Sequence, residues 1–410
     1  MRPDDVYRRA ALHSGVCYFR TMNFSRLVFI VLILCSGCRL QTPQTRRDGV
    51  EKGPMSLERI QAHVLFLDAD EQEGRRVATR GFSRTAVYLS ERLREFGVQP
   101  VLAGEHRMQY ASSIEVLTRA RVSRIGQDTL ILIQGWDFLV DASSGNGNVT
   151  FSRVDLLTEG GSLMITGEVE ILVGGRSGDG VRERRDYPVV RISQAVWEEP
   201  HDPDERWTII INKEKQIVTA AMNVAGYIAG ADPGWRDSLI VIVAPVDGDG
   251  LQGSHSLTNG SDSSVAAAAL LEMTRRITVL QSRWSIFRPS FLIAFVSGTR
   301  GVCDGPRALM RHIPWSKGNI SSIHVLTTAG GTPCNWKELT AEAGIEAPTT
   351  VRSFPRPSLE SEESDLGGWH LRRQLLTGDY SETASAEALL VATELLDTLL
   401  GSRRAQEVNR

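Results

Sequence analysis

The chain has 410 residues and a formal net charge of -3, with 41% apolar and 23% charged residues. That composition is globular and excludes collagen-like, fully disordered and disulfide-dense chains. With 46 Lys+Arg against 49 Asp+Glu and a pI near 6.3, it also argues against a nucleic-acid surface, which needs a basic excess.

The first local signal is Leu27–Leu34 (LVFIVLIL). It is too short for a bilayer-spanning helix, which needs about 20 residues, and right for the apolar stretch of a secretory signal. Arg26 precedes it and Ser36-Gly37-Cys38 follows. The small-small-Cys pattern resembles the lipobox of bacterial lipoproteins, in which the Cys is acylated, although Cys35 stands where Leu is usual. Met22 is the expected true start. Residues 1–37 then read as a signal region, and 38–55 as a lipidated Cys38 followed by a polar tether. The expected location is the periplasmic or outer face of a bacterial envelope, with the membrane reached through the lipid. Cys303 and Cys334 would remain after processing. They either pair, closing a loop of 31 residues worth about 3 kcal/mol in the chain-entropy model, or stay as two buried thiols.

Leu57–Leu67 has helical apolar spacing. After a break at Thr79–Gly81, Ser83–Phe96 reads as an amphipathic helix stopped by Gly97. These belong to a first segment, 56–107. From 108 to 212 the texture becomes β-rich: Thr129–Gln134, Asn148–Phe151, Ser162–Val173 and Val189–Ile192, between Gly-, Ser- and Asp-rich turns. Residues 213–402 turn α/β, with 403–410 as a tail. Ser238–Ala244, Ser290–Phe295 and Ser322–Leu326 read as buried strands, Val265–Ile277 and Ala384–Leu400 as helices. The alternation predicts a three-layer α/β sandwich around a mainly parallel, mixed sheet. Its chemistry would lie at the carboxyl ends of the strands.

Several segments carry a family resemblance. Ile60–Pro100, with DADEQEGRR at its centre, resembles the opening of M28-family zinc aminopeptidases and their FLASDELEGR stretch. Val218–Val246 resembles the segment leading into the strand that bears their first metal ligand. Asn259–Glu272 (NGSDSSVAAAALLE) resembles GADDNASGVAALLE. Ser290–Gly301 resembles ILFVAFSGEEKG, and Ser322–Gly330 resembles AMINLDMVG. Order and spacing agree from Ser56 to about Gly331. The resemblance implies a zinc-exopeptidase-like fold. The β-rich insert then occupies the place of a protease-associated module, and Tyr187–Ser193 resembles that module's last strand.

The catalytic positions depart from the family. A two-zinc centre needs about five N/O ligands and a water-activating carboxylate. Carried across, the first His falls on Pro245, its supporting Asp on Asp247 and the bridging Asp on Asp262. The Glu-Glu pair falls on Gly298-Thr299, and the later Asp on Thr327. The final His has no counterpart; the sequence around His370 does not match. Asp262 and Asp247 are thus vestigial, no catalytic residue is assigned, and no cofactor is expected, the ancestral zinc being lost. Asp262 reads first as a helix N-cap, and Asp247-Gly248-Asp249-Gly250 as a turn rather than a Ca²⁺ loop. His255 lies within reach of the same cleft, while Ser254, Ser256 and Ser297 lack a nucleophile elbow. A Cys303–His324 nucleophile pair is conceivable, but His324 lies in an apolar strand.

The expected function is a catalytically inactive, exported lipoprotein that binds a peptide, glycan or envelope protein through the old substrate cleft. The alternative is a metal-dependent aminopeptidase or other hydrolase with a rearranged site at Asp247, His255 and Asp262. A purely structural envelope component with a filled cleft is a third reading.

Overall fold

The computed structural model describes residues 53–401 except 103, 127, 160–161, 175–183, 201, 203, 254, 257–261, 300–301, 329–333 and 355–382. Residues 22–38, with the signal run and Cys38, lie outside the described residues, as do Glu360–Asp365 and His370.

Helix α1 spans Leu57–Leu67, as its apolar spacing predicts, and Ser56 caps it by accepting the Arg59 N–H. A tight turn over Asp70–Arg75 follows, with Glu73, Gly74 and Arg75 all at positive φ. Helix α2 covers Arg80–Glu95. It starts three residues before the predicted Ser83, because Thr79 Oγ1 accepts the Phe82 N–H and sets the first turn.

The main sheet combines β1 (Gln99–Pro100), β2 (Arg107–Ile125), β3 (Thr129–Ile131) and β5 (Gly147–Ser152) with later strands. Between and after them lie β4 (Phe138–Val140), β6 (Leu157–Glu159), β7 (Ser162–Ile165), β8 (Val169–Val173) and β9 (Val189–Ile192). These five form a separate sheet in the order β4-β9-β8-β7-β6. The predicted single run Ser162–Val173 is therefore a hairpin, broken at Gly167 with φ 78°. Short α3 (Gln194–Glu198) leads to β10 (Arg206–Ile228), then β11 (Leu239–Pro245) and the hairpin β12 (Leu251–Gln252) and β13 (His255–Ser256). Helix α4 (Asp262–Trp284), β14 (Ser290–Val296), α5 (Asp304–His312), β15 (Ile320–Thr328), α6 (Trp336–Glu342) and β16 (Thr349–Phe354) complete the α/β half. Residues 383–401 form a last helix, α7.

The main sheet runs β16-β15-β11-β14-β10-β2-β3. Its first four strands are parallel to one another, and β10, β2 and β3 are antiparallel to their neighbours. The sheet is accordingly mixed. One face carries α1, α2, α4 and α7 over an apolar cluster with Ile60, Leu89, Leu270 and Leu396. The other carries α5 and α6 over Val241, Leu292, Leu309 and Trp336. Both faces of β14 are buried, which explains its unbroken apolar sequence.

β2 and β10 are far longer than the core is wide. They leave the main sheet as a two-stranded ribbon and re-enter a second core, where β3 and β5 flank them. There Phe138, Ile171, Ile192, Trp207 and Ile209 pack against each other across the two sheets. The β-rich insert is thus a sandwich that shares two strands with the α/β half. Register shifts at Asn212/Lys213 and Val218/Ala221 mark the ribbon between the two cores.

Candidate functional site

The parallel strands β11, β14 and β15 end side by side, so their carboxyl ends bring together segments far apart in sequence. At the end of β11 stand Pro245, Val246 and Asp247. At the end of β14 stand Ser297, Gly298 and Thr299, and near the end of β15 stands Thr327. All the family-equivalent positions on these strands therefore converge on one region.

Asp247 is 2% exposed and Thr299 1%. The Thr299 hydroxyl donates to Asp247 Oδ1 at 2.6 Å, and its backbone N–H donates to Oδ2 at 3.0 Å. A neutral Thr thus occupies both oxygens of the carboxylate. The Asp247–Gly250 loop is packed from below by the Gly74–Arg75 turn. The Gly248 N–H donates to Arg75 O at 3.2 Å, and the Gly250 N–H to Gly74 O at 3.1 Å. A Cβ on Gly248 would meet Gly74 O at 2.4 Å. Gly248 and Gly250 are accordingly explained by the close approach of the Gly74–Arg76 backbone and side chains rather than by a local turn, which residues 246–250 do not form.

Arg75 is the buried residue that composition and spacing alone do not single out; it lies within the Ile60–Pro100 resemblance. Its Nε donates to Val246 O at 3.1 Å, Nη1 to Asp68 Oδ1 at 2.7 Å and to Leu67 O, and Nη2 to Ser263 Oγ at 3.2 Å. Ser264 Oγ donates to Asp68 Oδ2 at 3.1 Å. The guanidinium thereby ties the end of β11 to the first turn of α4. That helix begins at Asp262 itself, one residue earlier than an N-cap at that position implies. The side chains of Asp262 and His255 lie outside the described residues, so the Asp247–His255–Asp262 constellation is not described.

Behind β14, Tyr110 donates to Ser297 Oγ at 2.8 Å, and Ser297 Oγ donates to Met222 O at 2.7 Å. Burial pushes the Tyr110 phenol well above its ordinary range, against the lowering effect of the Ser297 bond. Ser297 N–H donates to Asn223 Oδ1 at 3.1 Å, and Asn223 Nδ2 to Gly305 O at 2.8 Å. Gly298 has φ 65°, and a Cβ there would lie 2.7 Å from Tyr110 Oη. Any side chain at that position meets both backbone strain and a buried phenol.

Cys303 and Cys334 form a disulfide with Cα atoms 5.7 Å apart. Cys334 Sγ lies 3.5 Å from Thr299 O, so the bridge backs the same strand-end loop. Cys303 is therefore no nucleophile. His324 is buried on β15, with Nε2 3.1 Å from Ser322 Oγ and no partner at Nδ1. Burial, and secondarily Arg352, lowers its pKa to about 4, so it stays neutral.

The rim is completed by the β12–β13 hairpin. Gln252 Nε2 donates to Val140 O at 2.7 Å, and the Val140 N–H donates to Gln252 Oε1 at 2.7 Å. The loop after Asp247 is thereby coupled to the β-sandwich.

The donor chemistry does not fit a two-zinc centre. Pro245 and Gly298 have no ligating side chain, Thr299 and Thr327 are poor zinc ligands, and Asp247 is bonded to Thr299. Among the described residues no group of three His, Cys, Asp or Glu could hold a metal ion.

No family model and no curated protein matches the chain. Solved structures do. One is a zinc aminopeptidase from Bacillus subtilis, 12% identical with TM-score 0.48, covering 83% of this chain and 94% of that one. A second is a peptidase M28 precursor from Shewanella amazonensis SB2B, 11% identical with TM-score 0.47, over 84% and 92%. The chain is similar to M28-family zinc aminopeptidases. A glutaminyl cyclase from Porphyromonas gingivalis, 9% identical with TM-score 0.38 over 85% and 99%, is similar as well. At these identities the likeness extends to fold and not to chemistry.

Proposed function

We propose that this chain is an M28-peptidase-like lipoprotein that is exported, does not cleave peptides, and binds a peptide, a glycan or an envelope protein through the cleft at the strand ends. The observation that carries this reading is the pairing of Asp247 with Thr299, beside a Gly298 at positive φ where a side chain would press on the Tyr110 hydroxyl. The resemblance would place a carboxylate pair at Gly298-Thr299, with Asp247 as a supporting residue. Here Thr299 bonds to both oxygens of Asp247, and neither Gly298 nor Thr299 offers a carboxylate to activate water.

Zinc stoichiometry tests it. The purified chain is dialysed against trace zinc and measured by elemental mass spectrometry. Sub-stoichiometric metal and no aminopeptidase activity are expected. One or two tightly held ions, with activity lost in Asp262→Ala, would overturn the reading in favour of a rearranged hydrolase. The lipid anchor is tested separately. Cys38→Ala should release the chain from membranes, and a Cys38 peptide without acyl mass in the wild type would refute the anchor.

A further inference from the structure

The end of the α/β half opposite the cleft carries two exposed tryptophans. Trp284, the last residue of α4, is 61% exposed, and Trp235, before β11, is 37% exposed. Each has a guanidinium over its ring: Arg283 at 5.0 Å from the Trp284 centroid and Arg288 at 5.4 Å from that of Trp235. The loops that bear them are stitched together. Ala231 N–H donates to Phe287 O at 2.9 Å, Gln281 Nε2 to Ala229 O at 3.0 Å, and Arg288 Nη2 to Asp232 Oδ2 at 2.7 Å. The two rings therefore project from one braced platform at the amino ends of the parallel strands.

Exposed tryptophans cost free energy in water, and an amphipathic indole beside a cation suits the headgroup layer of a bilayer. Arg283 and Arg288 supply positive charge, of which Asp232 offsets one. Where the chain enters the fold points the same way. Arg275 and Arg59, both paired with buried Glu272 at mid-α4, donate to Gly53 O and Pro54 O. From there α1 rises to Leu67, whose carbonyl takes Arg75 at the cleft end. The residues before Gly53 thus join the fold on the platform side of α1. Trp284 lies 12 residues beyond Glu272 on α4, about 18 Å along the axis. The 15 residues from Cys38 to Gly53 reach at most about 54 Å. A lipid on Cys38 would hold the platform near the bilayer, where a weak contact becomes effective.

We infer that Trp235 and Trp284, with Arg283 and Arg288, form a membrane-facing platform that docks on the phospholipid surface and points the cleft away from it. This rests on the lipid-anchor reading for proximity, but the contact itself is a property of the folded chain.

The test uses the full chain on phosphatidylethanolamine/phosphatidylglycerol vesicles with brominated acyl chains, which quench only tryptophans at the interface. Quenching of the wild type is expected, with the quenchable fraction of emission falling at least twofold in Trp235→Phe/Trp284→Phe. Trp136→Phe, an exposed site on the β-sandwich, should leave it unchanged. Equal quenching of wild type and double variant, or none in either, overturns the platform. So does protection of the two rings from acrylamide in native membranes without bromolipid quenching, which would mean a protein partner. The Cys38 peptide mass is read on the same sample. Quenching without acylation upholds the platform and refutes the anchor, whereas acylation without quenching does the reverse.

Discussion

Acidification from pH 7 to pH 5 should destabilise this protein chiefly through two histidines, the buried His324 and the half-buried His63, with burial shifting His106 in the same direction. His324 lies on β15 with its Nδ1 unpartnered, and burial lowers its pKa to about 4. His63 on α1 meets the Tyr88 hydroxyl at 2.6 Å, and burial lowers its pKa to about 4 as well, against a raising effect of Glu272. Both are neutral in the native state over this range, while the unfolded chain titrates near pH 6.5. Above that value neither state binds the proton, and the native stability is complete. Between pH 6.5 and 4 only the unfolded chain takes it up, so stability falls as pH falls by about 1.4 kcal/mol per unit and per histidine. At pH 5 the loss is about 2 kcal/mol for each, and near pH 4 about 3 kcal/mol. Carboxylates titrate mostly below pH 5, so the pH 7 to 5 interval isolates the histidines. Urea unfolding at both pH values gives the difference directly. His324→Leu and His63→Leu should each remove about 2 kcal/mol of the pH-dependent loss, whatever they do to stability at pH 7. A His324→Leu slope identical to that of the wild type would refute the assignment of a neutral buried imidazole.

Three further outcomes follow from the packing. Thr299→Val removes the hydroxyl that donates to Asp247 and should lower stability by about 1.5–3 kcal/mol in urea unfolding, the range for a bond to a charged group. Cys303→Ser/Cys334→Ser should cost about 3–4 kcal/mol, from closure of a 31-residue loop, read as a lower unfolding midpoint that no longer responds to reductant. Glu272→Ala leaves Arg275 and Arg59 without their buried carboxylate, and a loss of about 3–5 kcal/mol is expected, with earlier proteolysis near Gly53.

Local signals were legible where one interaction dominates. Leu57–Leu67 and Val189–Ile192 are found at their predicted limits. The helix has an apolar stripe and a Ser cap, and the strand is a β-branched run, Val189, Val190 and Ile192 around Arg191, buried on both faces. The long strands β2 and β10 were not legible. Along their shared ribbon, Lys213 to Gln216 face solvent on both sides or nearly so, and neither alternation nor apolarity marks them. They are extended because they pair with each other across about 100 residues, which no local window contains. Helix α4 exceeds the predicted Val265–Ile277 at both ends. Ser263 and Ser264 bond to Arg75 and Asp68, and those tertiary contacts hold the first turn.

The sequence by itself determined which atoms are available at the strand ends. Pro245, Gly298, Thr299 and Thr327 preclude the family's ligand set in any conformation, because side-chain chemistry does not depend on the fold. What became of Asp247, one of the two surviving carboxylates, was decided only by tertiary structure. Asp247 and Thr299 are 52 residues apart, and the parallel register of β11 and β14 makes them neighbours. The same holds for the Gly74 turn under Gly250, where a distant backbone removes the space a side chain would need, and for Gly298, where the Tyr110 hydroxyl does so.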